Sequence, residues 1–408
     1  MRRVLFVDDE PNVLQALQRM LRSQRGEWEM SFAQGGDAAL AMLAAAPFDV
    51  VVSDMRMPGM DGPSLLGRVQ EEFPQVIRII LSGHADLSSA FRAVPIAHQF
   101  LGKPCDPSTL RVSIERACRL QSVLSDDALR RTVGSMGALP ALPRTYTALT
   151  DALGDADVSL DRVAKLIEQD VAIAAKILQL VNSSFFGLAR NVTNIQTAVS
   201  YLGTNILKNL VLSLGVFRSF EQKELVAGFS VDEFQNHAYL TAKIAQTLPT
   251  VKYLSDMTGL AALLHDVGKL VLAARMPDYL ARVLAQARER QRPIFEIEQE
   301  LSGVTHAEIG AYLLGLWGLP SPIVEAVAHH HAPGRVPQQG MDALAAVHLA
   351  NVLALECRAA STAECGLVQP TLDETLVDAL GVTDRLPEWR VMAHDVGETL
   401  GASMCRAS

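Results

Sequence analysis

The sequence predicts a multi-domain chain: a doubly wound α/β unit with a five-stranded parallel sheet, followed by an all-α helical domain. Three observations predict it. Over residues 1–118, short apolar runs alternate five times with segments of helical periodicity. Each run that matters ends in a polar group able to do chemistry, which is where open α/β sheets carry their sites. From about Leu139 on, strand-like alternation disappears, and Ala, Leu and Val recur at helical spacing broken by Gly, Pro and Asp. The divisions read from this are 1–118, a connecting segment 119–137, a helical domain 138–390 and a tail 391–408.

The elements follow in order. Val4-Leu-Phe-Val7 is a first buried strand, closed by Asp8-Asp9-Glu10. Pro11 to about Ser23 spaces Val13, Leu14, Leu17, Met20 and Leu21 as a helix does. Phe32-Ala33 is a weak strand, and Gly36 to Ala46 is a helix ended near Pro47. Val50-Val51-Val52 is a third strand, leading to Asp54 and then to a loop at Pro58-Gly59. A helix from about Pro63 to Phe73, a strand Ile77–Leu81 ending in Ser82-Gly83, and a helix around Ala85 to Ala93 come next. Gln99-Phe100-Leu101 then leads to Gly102-Lys103-Pro104, and helix resumes from Pro107 to about Leu129. In the second half Leu160, Val163, Ala164, Ile167 and Val171 share a helix face, and Ile206 to Leu214 reads as a buried core helix.

Composition narrows the function. The 408 residues, 49% of them hydrophobic and 20% charged, suffice for large cores. Mean hydropathy is +0.18, yet no run approaches the roughly 20 apolar residues of a bilayer span. Met1-Arg2-Arg3 precedes too short an apolar run for a signal peptide. The five cysteines are scattered, with no C-x-x-C spacing, as expected of reduced thiols in the cytoplasm. A net charge of −9 opposes bulk attraction to nucleic acid.

Parallel strands side by side would bring Asp8, Asp9, Asp54, Ser82 and Lys103 to one edge. Clustered carboxylates repel and call for a cation; oxygen ligands favour Mg²⁺ beside a phosphate. Lys103 would add a fixed positive charge and Ser82 a donor, together suited to holding a phosphoryl group on Asp54. With Met57-Pro-Gly-Met-Asp-Gly62 following Asp54, this stretch resembles the flavodoxin-like receiver domain of two-component signalling. The resemblance implies Asp54 as the phospho-acceptor, Ser82 and Lys103 as catalytic partners, and Phe100 as the switching aromatic. It implies Mg²⁺ held by the acidic pair Asp8 and Asp9, by Asp54 and by the carbonyl of Arg56, and a sensor histidine kinase as partner.

The second half gathers histidines: eight of the chain's ten fall from His237 onward. His265-Asp266 closes the apolar stretch beginning at Ala261 and is read as the end of a helix. Imidazole with carboxylate suits Fe, Mn or Zn, and such an ion can supply hydroxide for phosphodiester hydrolysis. A buried helical histidine can equally serve only to satisfy a carbonyl. Leu139-Pro-Ala-Leu-Pro143, Ile167-Glu-Gln-Asp170, Leu180-Val-Asn-Ser-Ser-Phe-Phe-Gly187, Ala198-Val-Ser-Tyr-Leu-Gly203, Leu264-His-Asp-Val-Gly-Lys-Leu270, Thr305-His-Ala-Glu-Ile-Gly310 and Trp317-Gly-Leu-Pro320 resemble an HDOD domain, a branch of the HD phosphohydrolase superfamily. The resemblance implies a signalling or protein-interaction module in which metal chemistry has been lost. His237, His265, Asp266, His306, His330 and His331 stand as its HD-like ligand set. Asn351 stands where an active enzyme has its last aspartate, and an amide is the weaker ligand. Ala332-Pro-Gly-Arg-Val-Pro337 carries no Gly-Tyr-Pro signature of the cyclic-di-GMP phosphodiesterases.

The expected function is a cytoplasmic response regulator of a phosphorelay whose Asp54 controls a non-catalytic HDOD module acting on a downstream protein. The alternative is a receiver-regulated, metal-dependent phosphohydrolase acting on a nucleotide, cyclic or linear. Direct DNA binding is the weaker third reading, since no helix-turn-helix with a basic face stands out. Homodimerisation is left open.

Overall fold

In a computed structural model the described residues are 1–83, 93, 96–120, 127–136, 139, 143–155, 158–183, 191–214, 226–250, 255–337, 340–361, 368 and 371–404. The strands are β1 (Arg2–Asp8), β2 (Trp28–Gln34), β3 (Val50–Asp54), β4 (Ile77–Ser82) and β5 (Gln99–Gly102). They form one five-stranded sheet in the order β2-β1-β3-β4-β5, with every pairing parallel. All five residues of β3 and all six of β4 are buried, as a sheet covered on both faces requires. Because the strands run parallel, Asp8, Asp54 and Ser82 end their strands on the same edge, and Ser82 lies in register with Gly102.

Helices α1 (Pro11–Met20), α2 (Gly36–Ala45) and α3 (Gly62–Glu72) connect the first strands, and α4 (Pro107–Leu120) follows β5. The expected helix over 85–93 lies outside the described residues apart from Ala93. Helix α1 stops at Met20, and a short 3₁₀ turn over Arg22–Gly26 leads into β2, which is longer than Phe32-Ala33 alone suggested. The connecting segment contains α5 (Asp127–Gly134). It is pinned to the α/β unit: Arg78 Nη2 on β4 donates to the Gly134 carbonyl at 2.6 Å, and Gln70 Nε2 on α3 to that of Ser135 at 3.0 Å.

The rest is helical: α6 (Pro143–Gly154), α7 (Leu160–Glu168), α8 (Val171–Val181), α9 (Ile195–Leu214), α10 (Val231–Thr247), α11 (Ser255–Leu264), α12 (Val267–Arg275), α13 (Pro277–Arg290), α14 (Ile294–Ser302), α15 (His306–Leu316), α16 (Ser321–His329), α17 (Ala343–Ser361), α18 (Glu374–Leu380) and α19 (Leu386–Met404). Local chemistry sets many starts. Asp170 accepts from the Ala172 and Ile173 amides to open α8, and Thr305 with Glu308 forms a capping box at α15.

Three expectations need correction. The tail proposed from 391 is the middle of α19, whose Trp389 and Ala393 are buried, so the boundary falls inside a continuous helix. His265 and Asp266 do not sit on a helix but in the turn between α11 and α12. One segment, Met257–Arg275, is also apolar enough by length and composition to span a membrane, with mean hydropathy 1.4; 83% of it is buried inside the fold.

The two halves are packed together. Gln179 Nε2 on α8 donates to the carbonyls of Ala97 and His98, at 3.2 and 3.0 Å. Arg116 on α4 reaches the Gly318 carbonyl at 3.5 Å. Lys176 is buried with its ammonium 4.7 Å from the centre of the Trp317 ring.

Candidate functional site

Two clusters of chemistry-bearing side chains stand out. The first is the sheet edge. Lys103, just past β5, places its ammonium 2.9 Å from Asp8 Oδ2 and in contact with Asp54 Oδ1. Burial alone would lower the lysine, but hydrogen bonds to Asp54 and Asp8 outweigh it and hold its pKa above the usual value. Asp54 Oδ2 accepts from the Arg56 amide at 2.8 Å, which fixes the carboxylate over the loop. Gly62 opens α3 directly against the Asp54 carbonyl, where a Cβ would collide with backbone. That is the physical use of the glycine closing the Met57–Gly62 stretch.

Five of the residues named for this edge therefore converge on it: Asp8, Asp54, Arg56, Ser82 and Lys103. Ser82 is buried, with its hydroxyl turned to the Gly83 carbonyl at 3.1 Å. Asp9 is half-buried just beyond Asp8, and its carbonyl accepts from Gln34. Phe100 is buried on β5 and lines a cavity of about 170 Å³ between the halves, with Arg116, Gln179 and Trp317. The carboxylates of Asp8 and Asp54 are oxygen donors of the kind Mg²⁺ takes.

The second cluster is the histidines. Asp266 is its centre: Oδ1 lies 3.1 Å from His306 Nε2 and 3.6 Å from His330 Nε2. Oδ2 lies 3.3 Å from His265 Nε2, 3.9 Å from His237 Nε2 and 2.6 Å from Lys269 Nζ. His331 Nε2 stands 3.0 Å from His306 Nε2, and Asn351 Oδ1 stands 3.0 Å from His237 Nε2. Every residue named for this site thus meets the others, although the chain separates them by up to 114 positions.

Backbone and carboxylate partners orient the rings. His265 Nδ1 donates to the Ala262 carbonyl at 2.6 Å, and His330 Nδ1 to that of Val327 at 2.8 Å. His306 Nδ1 lies 2.7 Å from Glu298 Oε2. With a proton held on Nδ1, each Nε2 faces Asp266, the ring orientation found where histidine binds metal. The Nε2 atoms of His265 and His330 and Oδ1 of Asp266 are buried without a hydrogen-bond partner. Buried polar atoms are rarely left so, and a bound cation would satisfy all three. The residues fit such an ion as two overlapping sets, Asp266 with His306, His330 and His331, and His237 with His265 and Asp266.

Electrostatics supports the same arrangement. Asp266 lies well below the usual carboxylate range: burial opposes this, but His265, Lys269 and His306 prevail. Burial pushes His330 down to about 3 and His331 well below its usual value, so both stay neutral at physiological pH. For His306 burial also acts downward, yet Glu298 and Asp266 lift it. His348 stands apart: its nitrogens serve the His330 carbonyl and the Asp373 amide.

Residues the sequence reading did not single out complete the site. Glu298 is fully buried behind His306. Lys269 supplies the only ammonium on the pocket wall among the described residues, and Phe295 stacks on His331 with ring centres 4.4 Å apart. Gly268 packs against the His306 carbonyl, so only a residue without Cβ lets α12 and α15 bring Asp266 to His306. The one available signal was the Thr305-x-x-Glu308 capping box, which marks His306 as the first helical residue.

Comparison with known proteins finds two domain families, one in each half of the chain. The family description "Response regulator receiver domain" matches residues 4–115 and "HDOD domain" matches 139–333. An uncharacterized protein of Treponema pallidum (strain Nichols) is 31% identical over 219 residues, 52% of this chain and 42% of that protein. The MmoQ response regulator of Methylococcus capsulatus str. Bath is similar at 24% identity and a TM-score of 0.46, over 60% of this chain and 98% of that one. The signal receiver domain of an HD domain-containing protein from Pseudomonas fluorescens Pf-5 is 32% identical, with a TM-score of 0.29, over 30% of this chain and 98% of that one. The chain spans less than half the length of the first curated relatives it matches.

Proposed function

The chain belongs to the response regulators, joining a receiver domain to an HDOD domain, and from that premise we propose that Asp54 takes a phosphoryl group from a histidine kinase and that its phospho-state sets what the HDOD domain binds. One observation carries the reading. Lys103 bridges Asp54 and Asp8 at the end of β5, and β5 leads back to the loop that the HDOD domain holds. In the reaction the phosphorus–nitrogen bond of a phosphohistidine breaks as an oxygen of Asp54 bonds to phosphorus. Lys103 and the Ser82 hydroxyl would take up the oxygens of the transferred group. Mg²⁺ held by Asp8, Asp9, Asp54 and the Arg56 carbonyl would neutralise charge on those oxygens. The phosphorylated side chain gains roughly −1.5 to −2 of charge, and Lys103 must then divide itself differently between Asp54 and Asp8. A kinase drawing on ATP implies a cytoplasmic setting. The downstream partner is a protein, recognised by the HDOD surface.

The test is labelling of the full chain by acetyl phosphate with Mg²⁺. Wild type is expected to take up one phosphoryl group, lost in Asp54→Ala; equal labelling of that variant would sink the reading.

A second reading has its own support in the unpartnered nitrogens around Asp266. On it the output half is a metal-dependent phosphohydrolase acting on a nucleotide, with iron, manganese or zinc held by His265, Asp266, His306, His330 and His331. Such an ion would supply a hydroxide nucleophile. Asn351 beside His237 argues for the non-catalytic reading, because a neutral amide replaces an anionic ligand. Metal analysis of purified protein, with nucleotide turnover before and after His265→Ala, separates the two.

A further inference from the structure

One helix touches a segment next to the acid edge and another next to the histidine cluster. All eleven residues of α8 are buried, and over that length it spans about 16 Å. At its C-terminal end, Gln179 Nε2 donates to the carbonyls of Ala97 and His98, the residues immediately before β5. At its N-terminal end, the Val171 amide donates to Gln235 Oε1 at 2.8 Å. Gln235 lies on α10, two residues before His237. Both glutamines are buried, with relative exposures of 2%. The N-terminal turn is further clamped by Asp170, which accepts from two amides of the helix.

Strand β5 is well suited to move against this helix. It has four residues, lies at the sheet edge and pairs only with β4. Just past its far end is Lys103, which contacts the Asp54 carboxylate directly. A change of charge at Asp54 acts on Lys103, hence on β5, hence on the carbonyls that Gln179 reads.

Resting on the phospho-acceptor reading above, we infer that α8 is a strut coupling the two sites, with Gln179 and Gln235 as its end contacts. Both are positioning residues. When Lys103 is drawn toward a phosphorylated Asp54, β5 shifts, the Ala97 and His98 carbonyls leave Gln179, and α8 relaxes its hold on α10. The element with two arrangements is the contact between β5 and α8, docked or released.

The experiment is hydrogen–deuterium exchange on the full chain, with and without beryllofluoride and Mg²⁺. Residues 99–102 report the receiver and residues 231–247 report α10. In wild type both should change, with α10 exchanging about fivefold faster or more, the scale of ordinary intersite coupling. Gln179→Met keeps the volume and removes the donors: the receiver response should remain and the α10 response should vanish. Gln235→Met cuts the other end, so residues 171–181 should respond while 231–247 stay silent. An α10 response that survives both substitutions overturns the strut. So does a silent α10 in wild type whose receiver responds. A receiver that itself fails to respond overturns the phospho-acceptor reading, and the strut falls with it.

Discussion

The acid edge and the histidine cluster solve opposite problems. At the edge, Asp8 and Asp54 share one lysine whose side chain is 32% exposed. In the cluster, Asp266 sits among rings with no exposed surface on His265, His306 or His330. The first can admit a partner and exchange its counter-ion; the second is more deeply buried, with its rings already turned. A residue that must gain and lose a charged group needs access. A ligand set gains more from being preformed, since imidazoles already oriented by Glu298 and backbone carbonyls need no reorganisation.

Four results would break or sharpen that contrast. The largest concerns the edge: Asp54→Ala should lower acetyl phosphate labelling by about a hundredfold or more, whereas His265→Ala should leave it unchanged. If the histidine variant also lost labelling, the sites would not be chemically separate.

Next, Asp266→Ala leaves Lys269 and the four imidazoles around it without the carboxylate they share. Breaking a buried charged pair costs about 3–5 kcal/mol, to be read from denaturant unfolding, and any bound metal should be lost with it. A variant as stable as wild type would mean the cluster's charges are not coupled as their spacing indicates.

The third result lies between the sites. Burial, reinforced by the neighbouring Arg78, pushes the Lys176 ammonium down from 10.5 to about 7. Between those values the unfolded chain holds a proton that the folded chain lacks. Stability should therefore rise with pH from about 7 to 10.5, by roughly a few kcal/mol. Lys176→Met should be more stable near pH 7 and lose this slope, as measured by urea midpoints across pH.

The smallest effects come from the glycines. Gly62→Ala and Gly268→Ala each force a methyl into backbone and should cost about 1–3 kcal/mol. The first should slow labelling at Asp54 and the second weaken metal retention; crossed effects would count against the assignment of each glycine to its site.

Much of this was legible before any coordinates. The strand-end acids could be read because parallel strands all present the same end to one edge, so Asp8, Asp54, Ser82 and Lys103 had to meet. The histidine set could be named from its motif stretches. Its arrangement could not, since His265 and Asp266 lie in a break between two helices that the apolar run concealed. Glu298 was invisible because nothing in an amphipathic helix marks which glutamate will be buried. The boundary at 391 failed because the polar residues of α19 mask its buried face, which carries Trp389 and Ala393.

Sequence alone determined the alternation of strand and helix, the chemistry at the strand ends and the inventory of imidazoles, because each is written in local periodicity and residue type. Tertiary structure alone decided that Gln179 would hold the carbonyls before β5, that Gln235 would hold the start of α8, and that Arg78 would pin the connecting helix. Those contacts join segments 56–82 residues apart. A polar side chain in an apolar helix announces that it needs a partner but not which one, since hydrogen bonding is set by where the packed elements come to rest.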